Sequence, residues 1–407
     1  MMNHLRLDRR RFLALSGAAG LMPRLSFSAT PGSTGVGDIL VCLFLRGGLD
    51  GLHTVVPFGD PFYYDQRRQL ALPPPGEARE AGEAGGVLDL DGFFGFHPAL
   101  QPLLPLYEAG ELALVHAAGS PDDTRSHFQA QHLMEQGDFS HNGGLSGWLG
   151  RHLALTGTPG VPTFRAVGMG GATQRSLAGF PAVAVAGVED FGLRGPAPLG
   201  RVLEALYGDA DPLHEAARQA LAADGEFKAA DPGQNPPGNG YPDSPLGQTL
   251  AQVGQLIRAE NLGVDVVGVD TGGWDTHNDQ EAELVPLLGD LAASLAAFHA
   301  DMGERMAHIS VVVMTEFGRR VAENASLGTD HGYGGLMLAL GGNVNGGRIY
   351  ADWPGLAPGR LYRDGDLAVS TDYRTVLGEL VQRRLGNSDL AGVFPDYAMP
   401  GFLGIFR

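Results

Sequence analysis

An α/β fold with a mostly parallel central sheet, covered by helices on both faces, is the class this sequence predicts. Three observations predict it. Short continuous apolar runs recur at Asp38–Leu45, Glu111–Ala117, Val264–Asp270, Ile309–Thr315 and Leu336–Leu340, the pattern of strands buried on both faces. Between them, apolar residues fall at helical spacing, as in Leu100, Leu103, Leu104 and Tyr107, or Leu284, Leu288, Leu291, Leu295 and Phe298. Strand and helix therefore alternate, which is the order of a parallel sheet with crossover helices.

The first run is bounded by Gly37 and by Gly47-Gly48, and Cys42 inside it reads as a small core residue. Residues 73–95 are rich in Pro, Gly and Glu and read as a surface loop. A helix is expected to open near Ser126 and run to Gln136. Residues 161–190 read as short strands between glycine-rich turns. Helices are expected at Leu203–Ala222 and Leu246–Asn261, with a Pro/Gly/Asn-rich linker or lid from Asp224 to Ser244, and a last helix at about Arg374–Arg384. The expected organisation is a leader at 1–28 and a single α/β domain over 37–407, with loop insertions near 73–95 and 224–244.

Composition excludes several functions. The 407 residues carry 28 Lys+Arg against 46 Asp+Glu, a net charge of -18. That argues against a nucleic-acid binder, which needs a basic footprint, and against a polybasic membrane-surface binder. A single Cys excludes a disulfide framework and any cysteine metal cluster. Lys228 is the only lysine and is placed in a polar loop, so Schiff-base chemistry would have to use it there.

Arg9-Arg10-Arg11-Phe12-Leu13 matches the twin-arginine export pattern, followed by an apolar run to Met22 and small residues at Ser26 and Ser28. The run is shorter than the roughly 20 apolar residues that span a bilayer. Cleavage is expected near Ala29. The twin-arginine translocase is thus an expected partner during export, and the location periplasmic or extracellular. Such substrates generally cross already folded, often with a metal or cofactor inserted. No later run of 18 apolar residues is read, so no stable membrane insertion is expected.

In parallel sheets ligands bind beyond the carboxyl ends of the strands, and the polar residues gather there. The first strand ends in Arg46-Gly47-Gly48-Leu49-Asp50-Gly51-Leu52. Asp50 suits a hard metal ion or braces its own turn, and the run is not a dinucleotide fingerprint. After the second strand come Thr124, Arg125, Ser126 and His127. Ser126 is a helix cap or a nucleophile; His127 is a base, a ligand or a packed residue; Arg125 is a candidate anion clamp. The third strand leads into Asp275 and His277, which point to the same side of an extended loop as two ligands of one ion would. A solvated turn is the alternative. Imidazole with carboxylate suits zinc, iron or manganese. The fourth strand ends at Glu316, and Asp330-His331 follows before a glycine-rich return into the fifth. Two metals about 3.5–4 Å apart would clamp a displacement at phosphorus or sulfur.

Taken with the twin-arginine leader, Leu45 to Leu52, Arg125-Ser126-His127-Phe128, Gly147-Trp148-Leu149-Gly150, Glu316-Phe317-Gly318-Arg319, Asp330-His331-Gly332 and Ser370 to Arg374 occur in the order seen in the bacterial "domain of unknown function 1501" family. The chain resembles that family over roughly residues 1–380. The family is grouped with the alkaline phosphatase and sulfatase superfamily. The resemblance implies an alkaline phosphatase-like three-layer sandwich with divalent metal ions (zinc, manganese, calcium or magnesium) at the carboxyl edge of the sheet. It implies Asp50 as the first-strand metal carboxylate, Ser126 as nucleophile with Thr124 as the fallback, and Asp275 and His277 on one metal. The superfamily's Asp-x-x-x-His becomes Asp-x-His here, and an Asp-His becomes Glu316-Phe317, with Asp330-His331 supplying such a pair later.

The leading expectation is an exported metal-dependent hydrolase of phosphate or sulfate esters, acting on a small anionic ester. Ser126 or a metal-bound water would attack, and Arg125 or Arg319 would orient the anion. Asp50, Asp275, His277, Glu316, Asp330 and His331 would surround the metal. The alternative is a non-catalytic periplasmic or cell-surface binding protein on the same scaffold. An exported redox enzyme is a third reading, weakened by the absence of a dinucleotide fingerprint and of cysteine ligands.

Overall fold

The computed structural model describes residues 38–77, 85–140, 144–157, 162–193, 212–363 and 365–407. The leader at 1–28, residues 78–84 of the first loop and the start of the helix expected from Leu203 lie outside the described residues. The strands are β1 (Ile39–Leu45), β2 (Val55–Val56), β3 (Leu88–Asp89), β4 (Gly95–Phe96), β5 (Leu112–Gly119), β6 (Ala166–Met169), β7 (Val183–Val185), β8 (Val266–Thr271), β9 (Ile309–Thr315), β10 (Gly335–Leu340), β11 (Arg348–Tyr350) and β12 (Thr371–Asp372).

Nine of these form one sheet in the order β11-β5-β10-β9-β1-β8-β6-β7, with β12 also pairing β5. Every pairing in it is parallel except the two made by β10, which runs against β9 and β5. Strands β2, β4 and β3 make a small antiparallel sheet beside it.

Strand β1 shows why the apolar runs form this sheet. All seven of its residues are buried between β8 and β9. Side chains alternate across a strand, so Ile39, Val41, Leu43 and Leu45 enter one core and Leu40, Cys42 and Phe44 the other. The first core is closed by the helices Pro245–Arg258 and Gln280–Met302, the second by Trp148–Leu155 and Tyr373–Arg383. The sheet thus lies between two helical layers. Burial pushes the Cys42 thiol up to about 12, so it acts as a small apolar filler.

Two expectations need correction. The segment from Asp224 to Ser244 is not a linker throughout. The helix Pro212–Ala230 takes its first residues, because Glu226, Lys228, Ala229 and Ala230 favour helix over the single Gly225. Lys228 therefore sits in a last helical turn, not a loop, with Nζ 2.7 Å from Asp224. The helical stretch Gln280–His308 is long and apolar enough to cross a membrane by length and composition; its Leu284, Leu288, Leu291, Leu295 and Phe298 are core residues, in keeping with the amphipathic helix expected there.

The parallel arrangement has a consequence for the site. The carboxyl ends of β5, β1, β8 and β9 share one rim, and β10, running the other way, starts there.

Candidate metal centre

Four segments reach that rim with polar side chains. His127 opens the helix His127–Gln136 after β5. Asp275 and His277 follow β8, Glu316 follows β9, and Asp330-His331 enters β10. Two glycines let the segments approach. A Cβ on Gly47, whose φ is +133°, would lie 2.5 Å from the backbone nitrogen of Asp275, and one on Gly318 would lie 1.9 Å from the carbonyl of Gly334.

Three imidazoles converge on one carboxylate. His127 Nε2 lies 3.2 Å from Asp275 Oδ2. His331 Nε2 lies 3.0 Å from Asp275 Oδ1, and His277 Nε2 also 3.0 Å. The Nε2 atoms of His277 and His331 are 2.9 Å apart. His127, Asp275 and His331 each offer a ligand atom within 4.8 Å of the others, close enough to share a cation. Phe317 packs under His127 and His331, with ring centroids 4.9 Å and 4.8 Å away.

The opposite ring nitrogens decide what these Nε2 atoms are. His331 Nδ1 lies 2.8 Å from the backbone carbonyl of Arg125, His127 Nδ1 2.8 Å from Glu316 Oε1, and His277 Nδ1 3.2 Å from Asp330 Oδ1. A carbonyl or carboxylate only accepts, so each Nδ1 carries the proton, and a neutral ring then presents a lone pair at Nε2. Lone pairs and a carboxylate facing one another repel unless a positive charge sits among them. His127 Nε2 is buried and makes no hydrogen bond despite its closeness to Asp275. Imidazoles oriented through Nδ1 by oxygen acceptors are the usual outer support of metal ligands. The residues present therefore fit a metal ion, and an imidazole-rich donor set suits zinc or iron better than calcium or magnesium.

The support is itself braced. Glu316, 1% exposed, accepts from Gly47 N at 2.9 Å and Gln131 Nε2 at 2.8 Å on the oxygen that faces His127. Thr315 Oγ1 donates to the other oxygen at 3.0 Å. Arg319 is buried and gives Asp275 Oδ1 a hydrogen bond of 2.7 Å, while the carbonyls of Gly47, Gly48, Trp274 and Thr329 take its other donors. So Arg319 positions Asp275 and has no face left for an anion.

Charges follow from these contacts. Burial pushes the Asp275 carboxyl up, but the hydrogen bond and the charge of the Arg319 guanidinium outweigh it, and the carboxyl is held at about 2. Glu316 is likewise lowered against its burial, by His127 and Gln131. Asp330 is lowered, first by the Asn324 amide, with His277 and Arg320 adding. The hydrogen bond that His127 donates to Glu316 raises His127; burial lowers His331.

Of the residues singled out from the sequence, His127, Asp275, His277, Glu316, Asp330 and His331 meet here. Asp50 does not join them. It caps the helix Gly51–Thr54 through His53 N, and Arg67 binds it at 2.6 Å and 3.0 Å while Gln280 donates at 2.7 Å. Ser126 is the exposed N-cap residue of the helix that carries His127, and its side chain makes no capping bond. Thr124 Oγ1 accepts from Ser126 N at 3.3 Å. The Arg125 guanidinium turns to Asp366, 2.5 Å away. Arg67, Gln131 and Gln280 went unread, and no local pattern marks them.

Among curated proteins none matches this chain. Among solved structures, a 2-O GAG sulfatase is similar at 9% identity and a TM-score of 0.29, over 77% of this chain and 66% of that one. This chain thus spans just under two thirds of that structure's length. Residues 116–392, which hold all of the cluster described above, match the family described as "Protein of unknown function (DUF1501)", and the chain belongs to that family.

Proposed function

We propose that this protein is an exported, metal-dependent hydrolase of phosphate or sulfate esters, on a sheet of the alkaline phosphatase type. The observation that carries the reading is the convergence of three Nε2 lone pairs on Asp275. His127, Asp275 and His331 would hold the ion, with His277 as a fourth donor and Glu316 and Asp330 orienting the rings. A bound divalent ion supplies Lewis-acid stabilisation of negative charge developing on the ester. The chain's own part is to fix the donors, to exclude water below through Phe317, and to present the uncommitted Ser126 hydroxyl at the start of a helix, where backbone N–H groups favour an anion. The twin-arginine leader supports export, periplasmic or beyond, of an already folded and loaded protein.

Metal analysis of protein purified through its export route, followed by assay on aryl phosphates and aryl sulfates, tests this. The expected result is a bound transition metal and turnover that falls in Ser126→Ala. Glu316→Gln, which keeps the shape but weakens the hold on His127, should cost about 10–100-fold in metal affinity. Absence of metal overturns the reading. Metal without turnover, in wild type and Ser126→Ala alike, replaces it with a binding protein on the same scaffold.

A further inference from the structure

One buried carboxylate beside the centre holds two arginines. Asp366 is 1% exposed. Arg125 Nη2 lies 2.5 Å from its Oδ2, and Arg320 Nε 3.5 Å from its Oδ1, an oxygen that makes no hydrogen bond. The two arginine side chains remain 39% and 37% exposed. A guanidinium has five N–H donors, and among the described residues neither has another side-chain acceptor. Both are tied to the cluster through the backbone: His331 Nδ1 donates to the Arg125 carbonyl at 2.8 Å, and Arg320 N donates to the Asp330 carbonyl at 2.9 Å. Arg320 also lies flat against Gly365, where an added Cβ would fall 1.9 Å from Nη2.

We propose that Arg125 and Arg320, braced by Asp366, form an anion clamp that binds the non-bridging oxygens of the substrate's phosphate or sulfate group beside the metal. The inference rests on the metal-dependent reading and names the recognition element of that site. Two guanidinium groups against one carboxylate leave a net positive charge with free donors in the planar geometry that matches tetrahedral oxyanions. Arg319, the neighbour of Arg320, is excluded because its donors are consumed inside the fold.

The test is calorimetric titration of the mature protein with inorganic phosphate and inorganic sulfate, metal-loaded and metal-free, with metal content measured in parallel. Arg125→Gln and Arg320→Gln should each weaken anion binding by about tenfold or more, as loss of a charge-assisted bond does, with metal content unchanged. Gly365→Ala, which removes no functional group and leaves both arginines in the chain, should weaken it in the same sense by displacing the Arg320 guanidinium. Affinity for both anions unchanged in Arg320→Gln and Gly365→Ala overturns the clamp while the metal reading stands. A wild-type protein without metal overturns the metal reading instead; anion binding to the metal-free form, lost in Arg320→Gln, then still upholds the clamp, and its absence ends it.

Discussion

Asp50 and Asp275 follow adjacent strands at the same rim, each after a glycine turn, and their environments are opposite. Asp50 is 1% exposed and ringed by donors: the Arg67 guanidinium, the Gln280 amide and the backbone N–H of His53. Asp275 has a side chain 45% exposed, one oxygen held by Arg319 and three imidazole nitrogens around it. What separates a carboxylate that braces a fold from one that invites a cation is whether its neighbours bring protons or lone pairs. Asp50's neighbours bring protons, so its charge is already balanced. Around Asp275 only Arg319 does, and the balance is left open.

The sharpest break of this contrast is Arg67→Met. Losing the guanidinium strands a buried carboxylate, which should cost about 3–5 kcal/mol of stability. Denaturant unfolding of wild type and variant at neutral pH measures it. A loss under about 1 kcal/mol would mean that Asp50 finds other compensation, and the distinction between the two carboxylates would fall.

How much of this was open to sequence reasoning follows from the same residues. Strands β1, β8 and β9 were legible because burial on both faces leaves continuous apolar runs. Asp275, His277, Glu316, Asp330 and His331 were legible because polar residues at strand ends stand out against such runs. Asp50 met the same criterion and went to a different use, because its partners lie 17 and 230 residues away and nothing local marks them. The helical start of the 224–244 segment was hidden by Gly225, and the anchoring role of Arg319 by the fact that four of its partners are backbone carbonyls.

Imidazoles repeat the comparison. His116, in β5, is fully buried and has both nitrogens satisfied: Nε2 faces the Val55 carbonyl at 2.9 Å and Nδ1 accepts from Ala117 N at 2.9 Å. Burial lowers its pKa from 6.5 to about 4. A histidine kept neutral by the fold loses stability on acidification, since the unfolded chain takes up a proton that the folded one refuses. The loss begins as the pH falls through 6.5 and is complete below about 4, reaching about 3 kcal/mol. His116→Gln, which keeps a donor and an acceptor, should flatten the stability profile between pH 6.5 and 4. An unflattened profile would place the acid sensitivity elsewhere, with His152, also lowered by burial to about 4, the next group to replace.

The smallest effect is expected where the cluster itself is cut. In metal-free protein Asp275→Asn removes a carboxylate held at about 2 against an ordinary 3.8. A depressed carboxyl contributes stability that is present above pH 3.8 and lost as the pH falls through about 2. Its side chain is nearly half exposed, so solvent screens the interaction and the contribution at neutral pH should stay below about 1 kcal/mol. Removing the negative charge also lets Arg319 keep its carbonyl partners and relieves the repulsion between the carboxylate and the imidazole lone pairs that face it. Unfolding of metal-free wild type and Asp275→Asn should therefore nearly coincide at pH 7, in contrast to Arg67→Met. A large destabilisation of the metal-free variant would show that Asp275 braces the fold as Asp50 does, and would leave the converging nitrogens without a functional reason to face one another.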